Sequence, residues 1–212
     1  MQLISVNLGK ERIFKNNTGK TGIYKFPTTE PVAITKLGLD GDAVSDTKNH
    51  GGPDQAVYVY GAGDYDWWSK EIGRVMEPGM FGDNLTISEL ESANFNIGDM
   101  IQVGAVTLQV TAPRIPCSTF AARMEDPMFV KKFRKAGRPG LYCRVLKEGA
   151  VKTGDPVSVE RWAGETISVA KMFEDYYNSN LDEAGIQREL AAPIAVRARK
   201  DMEDRLAKRV SQ

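Results

Sequence analysis

The chain has 212 residues, with 28 Lys+Arg against 28 Asp+Glu and therefore no net charge, which argues against a dedicated nucleic-acid binder whose affinity rests on excess basic charge. A composition of 42% hydrophobic and 26% charged residues is that of a folded globular chain rather than a disordered one. Two cysteines cannot build a disulfide scaffold and suggest a reducing compartment, and a single histidine excludes a three-histidine zinc centre.

The opening run, Met1 to Lys15, is too short in its apolar stretch and too soon charged for a signal peptide. No segment approaches the roughly 18 apolar residues of a membrane span. These features lead us to expect a cytoplasmic protein without membrane contact. Short β-favouring runs then recur between Gly, Pro, Asn and Asp: Leu3–Asn7, Val32–Thr35, Ala56–Tyr60, Met100–Val103, Val106–Thr111, Leu141–Leu146 and Val157–Trp162. Such spacing predicts a barrel or sandwich. Met100–Val103 and Val106–Val110 flank Gly104-Ala105, a hairpin with a tight turn. Helices are expected over Asp64–Ile72 and Pro127–Ala136, the second stopped by Gly137. The adjacent Trp67 and Trp68 cannot share one helix face, so one is expected in the core.

After Gly164 the pattern becomes helical. Val169, Met172, Phe173 and Tyr176 fall at helical spacing behind Thr166 or Ser168 as a cap; Asn180 is placed to cap a second helix and Pro193 to open a third, carrying Ala198, Met202, Leu206 and Val210. We therefore expect two units, residues 1–163 and 164–212. Three short helices bury little surface alone, so they should pack on the first unit or on a second subunit.

Three segments carry chemistry. In Pro113-Arg114-Ile115-Pro116-Cys117, two prolines stiffen a loop that presents a guanidinium and a thiol three residues apart. A nearby Arg favours thiolate, the form that binds metals and attacks electrophiles, and a soft sulfur suits a transition metal. A buried structural cysteine beside an ion-paired Arg is the plain alternative. In Lys48-Asn49-His50-Gly51-Gly52-Pro53, paired glycines can bring N–H groups to an anion while Lys48 and His50 add donors; an ordinary turn is the alternative. In Gly79-Met80-Phe81-Gly82-Asp83-Asn84, Asn84 could bond a heterocycle edge or merely its own backbone. Arg138, between glycines in Gly137-Arg138-Pro139-Gly140, is a better ligand contact than the basic run Lys131–Lys135, which reads as a solvated helix face. Cys143 lies inside a predicted strand and is expected to be buried and inert.

The order of these segments is more specific than any one of them. Gly41-Asp42, His50-Gly51-Gly52-Pro53-Asp54-Gln55-Ala56, Phe81-Gly82-Asp83-Asn84-Leu85, Ile97-Gly98-Asp99, Pro113 to Cys117 and Gly154-Asp155 together resemble the MOSC domain, found at the C-terminus of molybdenum cofactor sulfurases. Thr21-Gly22-Ile23-Tyr24-Lys25 and the helical tail are similar to the stand-alone YiiM-type branch, in which a three-alpha domain follows the barrel. Two departures stand out: Asp83 replaces the more usual Glu, and Asn49-His50 replaces the usual pair of histidines.

The resemblance implies a mainly β fold, a closed β-barrel with peripheral helices. It implies a molybdenum cofactor (molybdopterin) with Cys117 as metal ligand and catalytic centre, and reduction of N-hydroxylated bases of the 6-hydroxylaminopurine type. Arg114 would contact the cofactor's phosphate or pterin; Lys48, His50, Gly51 and Gly52 would cradle an anion; Asn84 would read the pterin edge, and Arg138 would add a contact. Two cysteines cannot hold an iron–sulfur cluster, so electrons would come from a separate donor protein. A persulfide carrier on Cys117 and a non-catalytic cofactor carrier are the rival readings. A Cys117–His50 hydrolase would need a third group to orient the ring, and a zinc site lacks ligands at any usual spacing. A homodimer through the tail stays open.

Overall fold

The computed structural model describes residues 1–13, 19–45 and 51–210. Strands β1 (Leu3–Gly9), β2 (Arg12–Ile13), β3 (Lys20–Thr21), β4 (Lys25–Thr28), β5 (Val32–Thr35) and β6 (Gly38–Leu39) come first. They are followed by β7 (Val57–Gly61), helix α1 (Ala62–Ile72), β8 (Leu85–Ile87), β9 (Met100–Val103) and β10 (Val106–Pro113). Then come α2 (Ser118–Arg123), α3 (Phe129–Ala136), β11 (Leu141–Lys147), β12 (Gly149–Val151) and β13 (Val157–Glu160), and last α4 (Val169–Tyr176), α5 (Glu183–Ala191) and α6 (Val196–Val210). All seven expected strands form. Gly137 stops α3 at φ +64°, where glycine carries no Cβ penalty.

An eight-stranded sheet runs β13-β9-β10-β11-β7-β8-β1-β4. All its pairs are antiparallel except β7–β8, which is parallel because α1 carries the chain back across the sheet. The β9–β10 hairpin closes with Val103 opposite Val106, as the Gly104-Ala105 turn predicts. The expected closed barrel does not form. The edge strands β13 and β4 share no ladder; the start of β1 meets residues 154–157 through an isolated Gln2–Pro156 bridge and the hydrogen bonds Leu3 N to Asp155 O (2.9 Å), Gly154 N to Leu3 O (2.8 Å) and Val157 N to Met1 O (3.0 Å). β4 pairs with the second half of β1 only, so the first half of β1 turns to residues 154–157 instead of continuing the ladder.

β7 explains the two cores. Val57 and Val59 point into an aliphatic core with Leu3, Val6, Ile101, Leu108 and Leu141. Tyr58 and Tyr60, on the other face, enter an aromatic core with Trp68, Phe81, Phe120, Phe129 and Phe133. A strand buried on both faces reads as a continuous apolar run rather than an alternation. The rings meet largely edge to face, Phe81 lying 5.2 Å from Phe120 and Phe120 5.0 Å from Phe133, the arrangement that ring quadrupoles favour. Trp68 is the buried member of the tryptophan pair.

The C-terminal helices pack on the sheet. Val169 and Met172 of α4 join the aliphatic core, Phe173 joins the aromatic one, and Leu181, Ile186 and Met202 form a small core between α5 and α6. Ser168 caps α4, accepting from Lys171 N at 3.1 Å. α5 is capped by Asp182 rather than Asn180, through Gly185 N at 2.8 Å, and α6 begins at Val196, three residues after Pro193. Among the described residues no helix is long and apolar enough to cross a membrane.

Candidate functional site

The cysteine loop is set by an unequal strand pair. β9 pairs with β10 only from Val106 to Gln109, whereas β11 follows β10 to Pro113, opposite Leu141. Pro113, which has no N–H, therefore sits where β10 has a neighbour on one side only. The chain leaves the sheet there, and Pro116 leads into Cys117, the extended residue that opens α2 (φ −121°, ψ 173°). One turn on, Phe120 is buried in the aromatic core and fixes α2. Cys117 is part-exposed and lines a cavity of about 670 Å³, within the size range of small-molecule and cofactor sites.

Arg114 lines the same cavity yet is only 4% exposed. Its guanidinium lies over the Phe120 ring at 4.3 Å and the Tyr58 ring at 5.0 Å, and Nη1 donates to the Phe81 carbonyl. Its Nε is buried with no hydrogen-bond partner, and among the described residues no carboxylate lies within ion-pair distance of it. Burial opposes its charge, but Tyr58, Tyr142 and Cys117 outweigh burial and hold its pKa above the usual arginine value.

Below these residues lies a buried polar floor. Asn84 Oδ1 accepts from Tyr58 N (3.1 Å) and Nδ2 donates to Asp42 Oδ2 (2.8 Å). Lys25 Nζ also binds Asp42, whose Oδ1 accepts from Gly9 N at 2.8 Å. Burial pushes the Lys25 pKa down, against the pull of Asp42. Asp83 accepts from Tyr65 Oη (2.5 Å), Thr86 Oγ1 (2.7 Å), Gly79 N (3.1 Å) and Asn7 Nδ2 (3.3 Å). Burial raises its pKa, and those donors hold it back. Asp83 is thus a structural hub, and Asp83→Ala is expected to cost about 3–5 kcal/mol by stranding these donors. Denaturant unfolding checks this; a loss below about 1 kcal/mol contradicts it.

The structure brings Cys117, Arg114, Asn84 and Gly51 to one cavity. Gly51 has φ +71°, and a Cβ there would meet Val44 Cγ1 at 2.9 Å. Its carbonyl accepts from Arg197 Nη1 (3.1 Å), which ties the glycine segment to α6. Gly52 lines a small adjoining hollow instead. Asn84 departs from its expected role of reading a ligand edge, since both its polar atoms hold protein groups. Arg138 lies outside the cavity. Its Nη1 binds the buried Asp64 at 2.7 Å and Glu91 at 3.3 Å, over the Trp67 ring, and this long-range pair joins Ser92, whose N–H donates to Asp64 at 2.9 Å, in offsetting the burial of that carboxylate. Lys48 and His50 lie outside the described residues. Cys143 is fully buried on β11, and burial pushes its thiol pKa well up.

Sequence reasoning missed the helical contribution to the cavity. Met172, Tyr176, Glu189, Arg197, Asp201 and Met202, all from the C-terminal helices, line the same cavity as the cysteine loop. The helical periodicity marks Met172 and Met202 as apolar-face residues but says nothing about which element they meet.

This site, on this sheet, defines the class: residues 46–158, more than half of the chain, match the family model of the MOSC domain, and the chain belongs to that family. It is 36% identical over 169 residues to the uncharacterized protein YflK of Bacillus subtilis, covering 79% of this chain and 76% of YflK. The crystal structure of YiiM from Geobacillus stearothermophilus superposes with a TM-score of 0.80 at 29% identity, covering 97% of this chain and 98% of that one. A protein of Gibberella moniliformis named as a reductase is 34% identical over 164 residues, which are 74% of this chain but 29% of the fungal protein.

Proposed function

We propose that the cavity binds a molybdenum cofactor and that the loaded protein reduces N-hydroxylated nitrogen compounds. The observation that carries this reading is Arg114, a buried cation with an unpartnered Nε, set in the same wall as the Cys117 thiol. A buried, uncompensated charge is tolerated where a ligand completes it. The donor set fits the group: a guanidinium for a phosphate or other anion, a soft sulfur for the metal, and a cavity of about 670 Å³ to hold a pterin. Kinship with a protein named as a reductase supports the redox direction.

Bound there, the cofactor would supply two-electron redox chemistry at the metal, removing oxygen from an N–OH group. The chain's own part is placement. Cys117 offers a metal ligand on a loop fixed by Pro113, Pro116 and the buried Phe120. Arg114 holds negative charge, and the rings of Tyr58 and Phe120 cover its guanidinium and keep it dry. Asn84, Asp42 and Lys25 stiffen the floor. Electrons come from a separate donor protein.

The test is turnover of 6-hydroxylaminopurine by cofactor-loaded protein with a reduced viologen dye as donor. The amine should form with the loaded protein and not with the cofactor-free protein. A loaded protein without turnover overturns it, and labile sulfur in place of molybdenum assigns Cys117 to persulfide transfer instead.

A further inference from the structure

Three arginines gather on the surface beside the cavity without carboxylates to answer them. Arg12, exposed on β2, holds its guanidinium over the Tyr24 ring at 5.5 Å and the Phe26 ring at 5.3 Å. Arg123, at the end of α2, covers the same Tyr24 ring at 4.7 Å, and its Nε is buried with no hydrogen-bond partner. Arg74, exposed just past α1, is close enough to act on Arg123: burial, joined by the Arg74 charge, pushes the Arg123 pKa down against Tyr24 and Tyr65. Among the described residues none of the three arginines forms an ion pair. Glu125 lies near Arg123 without closing on it, and Glu11, next to Arg12, is taken by Lys20 at 2.7 Å. Phe26, on the edge strand β4, is 51% exposed. Tyr24, where two of the arginines meet, stands between Ile23 and Lys25, which line the cavity. Arg123 ends the helix that Cys117 opens, and six residues of helix measure about 9 Å.

Clustered cations without counter-ions repel one another and favour an anionic partner. Arginine set on exposed aromatic rings is also the residue mix in which interaction surfaces are enriched. We propose that Arg12, Arg74 and Arg123, grouped around Tyr24 and Phe26, form the docking surface for an acidic electron-carrier protein. This inference rests on the reading of the protein as a reductase and names where its donor binds. Reducing N–OH to N–H and water takes two electrons and two protons, and two cysteines hold no iron–sulfur cluster, so both electrons come from outside the chain. A one-electron carrier therefore docks twice per turnover, losing one electron each time. Seated on these arginines, it stands one short helix from the Cys117 sulfur. Weak redox encounters use small interfaces, so a few side chains suffice. Complementary charge speeds such association and weakens it as salt rises.

Cofactor-free protein titrated calorimetrically with a plant-type ferredoxin and with a flavodoxin, two acidic one-electron carriers, tests it. The parent protein should bind at least one of them, and raising salt from about 50 to about 300 mM should weaken that binding at least about tenfold. The double variant Arg12→Glu with Arg74→Glu reverses two exposed charges and leaves the cores untouched. It should bind the carrier at least about tenfold more weakly. Lys131→Glu with Lys135→Glu makes the same change of charge on the exposed face of α3 and should stay within about twofold of the parent protein. In loaded protein the arginine variant should lose turnover driven by the reduced carrier and keep turnover driven by a reduced viologen dye. No binding of either carrier by the parent protein, equal affinity in the arginine variant, or an equal loss in the lysine variant overturns the docking surface. Viologen-driven turnover beside no carrier binding removes the surface and leaves the reductase reading standing. Carrier binding that the arginine variant loses, beside a loaded protein that reduces no N-hydroxy compound, keeps the surface and removes that reading.

Discussion

Arg114→Met is expected to abolish cofactor retention, and with it N-hydroxy reduction, while leaving stability within about 1 kcal/mol of the parent protein. Two terms oppose each other in the cofactor-free fold. The substitution removes a buried charge that no carboxylate offsets, which stabilises. It also removes a donor to the Phe81 carbonyl and the cation held over two rings, which destabilises by a similar amount. Methionine fills comparable space between Tyr58 and Phe120. With ligand present the balance changes, because the anion loses its only buried guanidinium in this wall. Cofactor content after gel filtration and the thermal midpoint of the cofactor-free protein check the two halves. A variant that keeps its cofactor, or that unfolds many degrees lower, would show Arg114 to be a structural cation.

Cys117→Ala is expected to lower N-hydroxy reduction by a factor of at least about 100 in protein supplied with cofactor, since groups held against a metal carry effects of this size even one layer out. Stability should change by less than about 0.5 kcal/mol, because the side chain is part-exposed and stands ahead of α2 rather than inside a core. Cys143→Ala is the matched control. Its sulfur is sealed in the aliphatic core, so that variant should lose about 1–2 kcal/mol and keep full activity. Initial rates with a chemical donor, set beside urea midpoints, separate the two cysteines. Equal rates for both variants would end the assignment of Cys117.

The strands were legible because their residues repeat with the sheet's own period, as in β5, where Val32 and Ile34 are buried and Ala33 and Thr35 exposed. The cysteine loop was legible because prolines and a thiol are local signals. What could not be read depends on partners far along the chain. Arg138 stands among glycines like a ligand contact, but its partner Asp64 lies on α1. Asn84 follows a glycine turn like a reader of bases, but Tyr58 and Asp42 take both its polar atoms. The parallel β7–β8 pair depends on where α1 returns the chain, and the open sheet on which half of β1 pairs with β4; neither leaves a periodic trace. The helical wall of the cavity was invisible for the same reason. Periodicity marks the apolar face of α4 and α6 but not the surface it covers.

In the function proposed above, the Cys117 sulfur and the Arg114 guanidinium together hold a metal-bearing cofactor. Elemental analysis of the purified protein from a host that makes the molybdenum cofactor tests this most directly. Close to one molybdenum per chain is expected in the parent protein and none in Cys117→Ala. A parent protein free of molybdenum, or a variant that retains as much, would contradict it.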